Sequence, residues 1–149
     1  ETFLKETIAP IRDEFDYIFI DCPPSLGLLT VNALVATTSL LIPIQCEFYA
    51  LEGVTKLLES MKMVQTRLNP GLTVFGVVMT MYDARTTLSR EVVDEVQRYF
   101  GNKVFKSIIP RSVKLSEAPS HGMPINHYSR VNKGALAYQK LAREVVRRG

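Results

Sequence analysis

Four continuous apolar runs along the chain predict buried strands. They are "YIFID" at 17–21, "SLLIPIQ" at 39–45, "TVFGVVMTM" at 73–81 and "KVFKSIIP" at 103–110. Strands that alternate apolar and polar residues expose one face to solvent, whereas continuous apolar runs are typical of a parallel sheet that is covered on both faces. The pattern therefore predicts a mostly parallel sheet.

Segments of helical period lie between these runs. Each carries an apolar stripe at spacings of three and four residues, which predicts an amphipathic helix. The stripes are Phe3, Leu4, Ile8 and Ile11; Leu51, Val54, Leu57, Leu58, Met61, Val64 and Leu68; Val92, Val93, Val96, Tyr99 and Phe100; and Leu136, Leu141 and Val145. Helices alternating with strands indicate a doubly wound α/β fold, and 149 residues without a linker indicate a single domain over 1–149.

Ligands of such folds bind at the carboxyl ends of the strands. The loops expected there are "DCPPSLG", "QCEFYALEG", "MYDARTT" and "PRSVKLSEAPSHG". Asp21 stands at the tip of the first predicted strand, where an acid can hold Mg²⁺ through a water molecule. The alternative interpretation is that Asp21 merely ends the strand or caps the following helix.

Charge is unevenly distributed along the chain. Residues 103–149 contain 10 Lys and Arg residues but 2 Asp and Glu residues, within a chain of net charge +3. This surface is either a solvated helix face or a site for a polyanion.

Because no signal sequence begins the chain and no apolar run is long enough to span a bilayer, we expect a cytoplasmic protein. Cys22 and Cys46 are predicted to be reduced core thiols.

Taken together, "DCPPSLGLLTVNAL", "IPIQCEFYALEG", "TMYDARTTLSREVVDEV" and "IIPRSVKLSEAPSHGMPI" closely resemble the C-terminal part of the ParA/Soj-type partitioning ATPases. The resemblance implies a deviant P-loop NTPase fold that uses ATP and Mg²⁺. It also implies a homodimer that ATP closes, that binds DNA without sequence preference on the nucleoid, and whose hydrolysis a ParB/Spo0J-type partner stimulates.

Individual roles follow from the same resemblance. It makes Asp21 the magnesium-site acid and Pro110 a contact of the adenine base, while Ser112, where the family usually has Asn, offers a hydroxyl to the base. The remaining residues are a switch segment that senses the γ-phosphate, formed by Cys22, Pro23, Pro24 and Ser25, and two cations that meet DNA phosphates, Arg85 and Lys114.

The chain departs from the family pattern in lacking a glycine-rich phosphate loop. We therefore expect a C-terminal portion of the ATPase domain, without the N-terminal strands, that alone neither binds nor hydrolyses ATP and needs no cofactor. Two alternatives remain: a non-catalytic module that binds DNA or protein, and a MinD-type division-site regulator. The latter is less favoured because "ALAYQKLAREVVRRG" lacks the bulky apolar cluster that inserts into lipid, and we expect no membrane partner.

Overall fold

The computed structural model describes residues 1–23 and 27–149. Within these ranges the chain forms seven α-helices and two strands, with short 3₁₀ turns at Ala9–Glu14, Gly101–Lys103 and Ala118–His121. In chain order the elements are α1 Phe3–Ile8, α2 Leu28–Ala36, β1 Ser39–Gln45, α3 Ala50–Arg67, β2 Thr73–Thr80, α4 Thr87–Phe100, α5 Val113–Glu117, α6 Ile125–Tyr128 and α7 Lys133–Arg148.

The two strands β1 and β2 are neighbours in one sheet and run parallel. The amide of Thr73 donates to the carbonyl of Thr38 at 3.2 Å, and the amide of Cys46 donates to that of Thr80 at 2.9 Å. Because both strands advance in the same chain direction from one hydrogen bond to the next, their pairing is parallel, as the continuous apolar runs predict. Helix α3 connects the two strands, so the predicted alternation of strands and helices is confirmed here as a βαβ unit.

The chain divides into two compact units, and the first comprises Glu1–Leu40 and Glu52–Phe75. Its core joins side chains from α2, α3 and the approach to β2, namely Leu34, Val35, Met61, Val64 and Leu72. The Asn69 side chain donates to the carbonyls of Leu34 and Thr37 at 2.9 and 2.8 Å. Since the last carbonyls of a helix have no partner within it, Asn69 closes the C-terminal end of α2.

The predicted first strand, "YIFID" at 17–21, is wrong. Residues 17–21 form no strand, and the side chains of Tyr17 and Phe19 are 42% and 72% exposed. An apolar run forms a strand only where a second segment accepts and donates the ladder hydrogen bonds. Among the described residues no strand pairs with 17–21, so Asp21 lies within an irregular segment and not at the end of a sheet strand.

The second unit comprises Leu41–Leu51 and Gly76–Gly149. In it the predicted strand at 103–110 is only partly formed. The segment lies parallel to β2 but makes two isolated bridges, Val77 with Val104 and Tyr82 with Pro110, instead of a continuous ladder. The expected third strand therefore lies beside β2 and runs in the expected direction, but its ladder of hydrogen bonds is interrupted.

A bulge explains the interruption. The amide of Phe105 donates to the carbonyl of Val77 and that of Ile109 to Met79, both at 2.8 Å. The segment thus advances four residues while β2 advances two, and the extra residues loop out of the ladder. Their amides need another acceptor, which a regular strand would have supplied.

Glu144 of α7 is that acceptor. Its buried carboxylate, in a residue 4% exposed, accepts from the amides of Lys106 and Ser107 at 2.9 Å each. It also accepts from the Ser107 hydroxyl at 2.8 Å and from Arg148 at 2.9 Å. Burial by itself would raise the pKa of Glu144, but the hydrogen bonds from Lys106 and Ser107 and the charge of Arg148 outweigh burial and lower it. The carboxylate therefore joins α7 to the bulge.

We predict that this carboxylate makes stability depend on pH. Its pKa is lower in the folded protein than its ordinary value of 4.5, so its stabilising effect is complete above that value and is lost as the pH falls through the folded pKa. Denaturant unfolding between pH 7 and pH 3 should show this loss. Glu144→Gln, which cannot ionise, should remove part of the slope, and an unchanged slope would contradict the prediction.

The first helical stripe is wrong: α1 has no buried residue, and Phe3 and Ile11 are 77% and 43% exposed.

The stripes of α4 and α7 are largely as predicted, although Tyr99 of α4 is 71% exposed. Val92 and Val96 of α4 are buried, and so are Leu141 and Val145 of α7. Thr86 caps α4 by accepting from the amide of Ser89 at 3.3 Å. Leu136, the remaining residue of the predicted α7 stripe, is 46% exposed and lines a groove described below.

Candidate functional site

The predicted magnesium acid, Asp21, lies in the first unit and is exposed. Next to it, the half-buried thiol of Cys22 has its Sγ 3.9 Å from the carbonyl oxygen of Ile20. Burial, and secondarily the negative charge of Asp21, raise the pKa of Cys22, so the thiol stays protonated. Pro23 is exposed, while the other two switch residues, Pro24 and Ser25, lie outside the described residues.

An exposed carboxylate such as Asp21 fits Mg²⁺, which keeps much of its hydration shell and is usually bound through one or two carboxylates plus phosphates. Over residues 1–23 and 27–149, no three His, Cys, Asp or Glu side chains gather into a group able to hold a metal by themselves.

The first proposed DNA-contacting residue, Arg85, lies in the loop between β2 and α4 and is 87% exposed along its side chain. Its guanidinium donates Nε to Oδ1 of Asp83 at 2.9 Å and Nη2 to Oδ2 at 2.7 Å. The Arg85 amide also donates to Oδ1, at 3.0 Å. These hydrogen bonds hold the pKa of Asp83 well below its usual range. The Nε–Nη2 edge of Arg85 is thus occupied by a carboxylate of its own loop.

The second proposed DNA-contacting residue, Lys114, lies in α5 and also has a carboxylate partner. Its Nζ donates to Oε2 of Glu117 at 2.8 Å, and the Tyr128 hydroxyl donates to the same oxygen at 2.9 Å. These two donors, Lys114 first, lower the pKa of Glu117. The ammonium also lies 5.5 Å from the centre of the Tyr128 ring, whose other neighbour is the stacked ring of His121 at 4.9 Å.

The two residues predicted to contact adenine, Pro110 and Ser112, are half-buried in the second unit. The Ser112 hydroxyl donates to Oδ1 of Asn132 at 3.0 Å, and the same oxygen accepts from the amide of Gly134 at 2.8 Å as the cap of α7. A hydroxyl has one hydrogen to donate and two lone pairs. With its hydrogen engaged, Ser112 offers a ligand only an acceptor, which suits an amino group such as that of adenine.

A groove along α7 brings together the cations of the C-terminal third. This α7 groove has a volume of about 640 Å³ and includes Leu136, Ala137 and Ile108 among its apolar lining residues. Its acid, Glu144, has both oxygens engaged in hydrogen bonds. Its cationic residues are Lys106, Lys133, Lys140, Arg143 and Arg147. The excess of cations is visible in the sequence, but the groove is not predicted from it, although the repeat of Lys133, Lys140 and Arg147 every seven residues indicates one helix face.

Asp83, Glu117 and Tyr128 are further residues that the sequence analysis missed. Two of them leave a signal in the sequence. A carboxylate two residues before Arg85, in a turn, can fold back onto it, and one three residues after Lys114 lies on the same helix face. Tyr128 leaves none, because it reaches Glu117 from a separate helix.

None of the helices in the described ranges is both long enough and apolar enough to cross a bilayer.

Comparison with known proteins gives consistent matches. Residues 1–74 match the AAA domain family. The chromosome-partitioning ATPase Soj of Treponema pallidum is 56% identical over 99% of this chain, which spans 58% of that relative. The chain spans about half to three fifths of the length of the curated relatives it matches.

Two solved structures show the same fold. Cobyrinic acid a,c-diamide synthase from Mycobacterium smegmatis, bound to an ATP analogue and magnesium, is 37% identical with a TM-score of 0.81, covering 98% of this chain and 53% of that one. The cell division ATPase MinD of Pyrococcus furiosus is 28% identical with a TM-score of 0.79, covering 99% and 59%. The fold is therefore that of the P-loop NTPases, and the sequence identity shows that this chain belongs to the family of ParA/Soj-type chromosome-partitioning ATPases.

Proposed function

We propose that this chain serves in ATP-driven DNA partitioning, as part of a protein that binds DNA without sequence preference. In this proposal the DNA-binding form is a homodimer closed by ATP, and a ParB/Spo0J-type protein stimulates hydrolysis. Asp21 holds Mg²⁺ through water, Pro110 and Ser112 contact the adenine base, and Arg85 and Lys114 meet DNA phosphates. The identity to partitioning ATPases supports the general activity.

The α7 groove is the observation that carries the DNA-binding part of the proposal. Lys133, Lys140 and Arg147 follow one another at seven-residue intervals, which on an α-helix places them about 10 Å apart along the axis. A row of cations of this length fits an extended polyanion better than a compact ligand. Phosphates of duplex DNA provide such a row, and their neutralisation releases condensed counterions.

The nucleotide roles are supported by the chemistry of the residues rather than by a preformed pocket. Bound Mg²⁺ would neutralise charge on the phosphates. Asp21 contributes an exposed carboxylate, and Ser112 contributes an acceptor oxygen whose own hydrogen is engaged with Asn132. Pro110, bridged to Tyr82, contributes a fixed apolar surface.

Salt titration tests the DNA-binding proposal. In a version of the protein extended to the length of its relatives, with ATP, log affinity for a duplex should fall linearly with log salt, by about 0.9 per phosphate neutralised. Arg85→Ala and Lys114→Ala should each make this slope shallower by roughly one unit. The effect should be equal on two duplexes of unrelated sequence, because phosphates carry no sequence information.

Lys56→Ala is the matched control, since Lys56 is exposed and ion-paired with Glu52 on α3, outside the proposed surface. It should leave the slope unchanged. If both Arg85→Ala and Lys114→Ala kept the slope of the unmodified protein, the assignment of these residues to DNA would be wrong. Binding that does not depend on ATP would favour the non-catalytic DNA-binding module instead.

A further inference from the structure

Each of the two cations assigned to DNA phosphates is paired in this structure with a carboxylate from its own loop or helix. We propose that Asp83 and Glu117 are specificity-determining residues of the DNA surface, because Asp83 engages the Nε–Nη2 edge of Arg85 and Glu117 partly offsets the charge of Lys114. The inference rests on the proposed function, since it concerns the same two cations. Because of these carboxylates, a DNA phosphate competes with an anion of the protein itself for Arg85 and for Lys114.

Asp83 restrains its cation more strongly than Glu117 does. Asp83 engages the Nε and Nη2 edge of Arg85 with both carboxylate oxygens, at 2.9 and 2.7 Å. This is the fork geometry with which arginine binds a phosphate. The amide of Arg85 donates to the same carboxylate, so the backbone of the loop holds Asp83 in place for the pairing. A phosphate that uses this edge of Arg85 must first displace Asp83.

Glu117 restrains Lys114 in a different way. Its Oε2 accepts from both Lys114 Nζ and the Tyr128 hydroxyl, so Tyr128 acts as a positioning residue that orients the carboxylate toward the ammonium. An ammonium has three hydrogens, and one is used here. Lys114 can therefore meet a phosphate while it remains bound to Glu117, but with its charge partly offset. We accordingly expect a weaker restraint than at Arg85.

The competition favours dense polyanions over isolated anions. A single phosphate that displaces Asp83 exchanges one ion pair for another, with little net gain. Duplex DNA gains in addition from the counterions released at every phosphate contact along the groove. Specificity of this kind comes from an added repulsive element as well as from attraction.

The test uses Asp83→Asn and Glu117→Gln in the extended protein with ATP, which keep the shape and an acceptor oxygen but remove the charge. Exposed ion pairs are weak, so each variant should bind a duplex roughly 1.5- to 5-fold more tightly at low salt, with Asp83→Asn at the upper end. The gain should shrink as salt rises, because salt also screens the internal pair. Glu52→Gln, which removes the acid of the exposed Glu52–Lys56 pair and changes the net charge equally, is the matched control.

Double variants separate this inference from the proposed function. In an Arg85→Ala background, Asp83→Asn should give no more gain than Glu52→Gln. A gain that persists there, or a gain equal to that of Glu52→Gln in the unmodified protein, would overturn the inference while leaving the DNA contacts intact. If Arg85→Ala and Lys114→Ala themselves had no effect on binding, the proposed function of these residues would fail first.

Discussion

Glu144→Ala is expected to lower the free energy of unfolding by about 2–4 kcal/mol, a large part of the stability of a domain of this size. The substitution removes the acceptor of two backbone amides and one hydroxyl in the bulge at Lys106 and Ser107. It also removes the buried partner of Arg148. Breaking a buried pair by deleting one member is costly because the other groups stay behind without compensation. Arg148 keeps its bonds to the carbonyls of Lys103 and Val104, which limits the loss.

Urea unfolding of the 149-residue chain, followed by circular dichroism, measures this effect. Glu52→Ala is the matched control, because Glu52 is an exposed glutamate on α3 and its removal should change stability by less than about 0.5 kcal/mol. If Glu144→Ala does not fold, Glu144→Gln provides the test, since it retains one acceptor oxygen and should show an intermediate loss. Equal midpoints for Glu144→Ala and the unmodified chain would show that the bulge is held by other contacts.

Asp21→Ala is expected to reduce magnesium-dependent ATP hydrolysis by at least about 100-fold in the version extended to the length of the relatives. Loss of one group that stabilises charge in the transition state typically costs a factor of this order. The expectation rests on the proposed role of Asp21 in placing Mg²⁺ against the phosphates. Because the side chain is exposed, the substitution should leave the fold intact. Steady-state hydrolysis across a range of magnesium concentrations is the measurement.

Asp16→Ala controls for the charge change, because Asp16 is an exposed acid of the same irregular segment, five residues earlier. It should retain hydrolysis, and both variants should unfold at the temperature of the unmodified protein. If Asp21→Ala hydrolysed ATP at the unmodified rate, Asp21 would be a structural residue, as the alternative interpretation of the sequence holds.

The apolar pattern alone located the two strands of the sheet and the helices α3, α4 and α7. These predictions succeed because each depends on local periodicity: a buried strand needs a short apolar run, and a helix packed on it needs an apolar stripe. The same rule fails at 17–21, where the run is as apolar as the others. Whether it becomes a strand depends on a neighbouring segment to pair with, and its own residues carry no information about that neighbour.

The sequence by itself determined the family, the loops that carry the candidate site residues and the excess of cations in the C-terminal third. Tertiary structure decided how those charges are used. Folding brings Lys106 to the cations of α7 and engages Glu144 with the bulge, so that a cationic groove remains. It also brings Tyr128 to Glu117, a contact between separate helices. Such contacts depend on the three-dimensional paths of segments distant in the chain, whereas periodicity and loop motifs are properties of neighbouring residues.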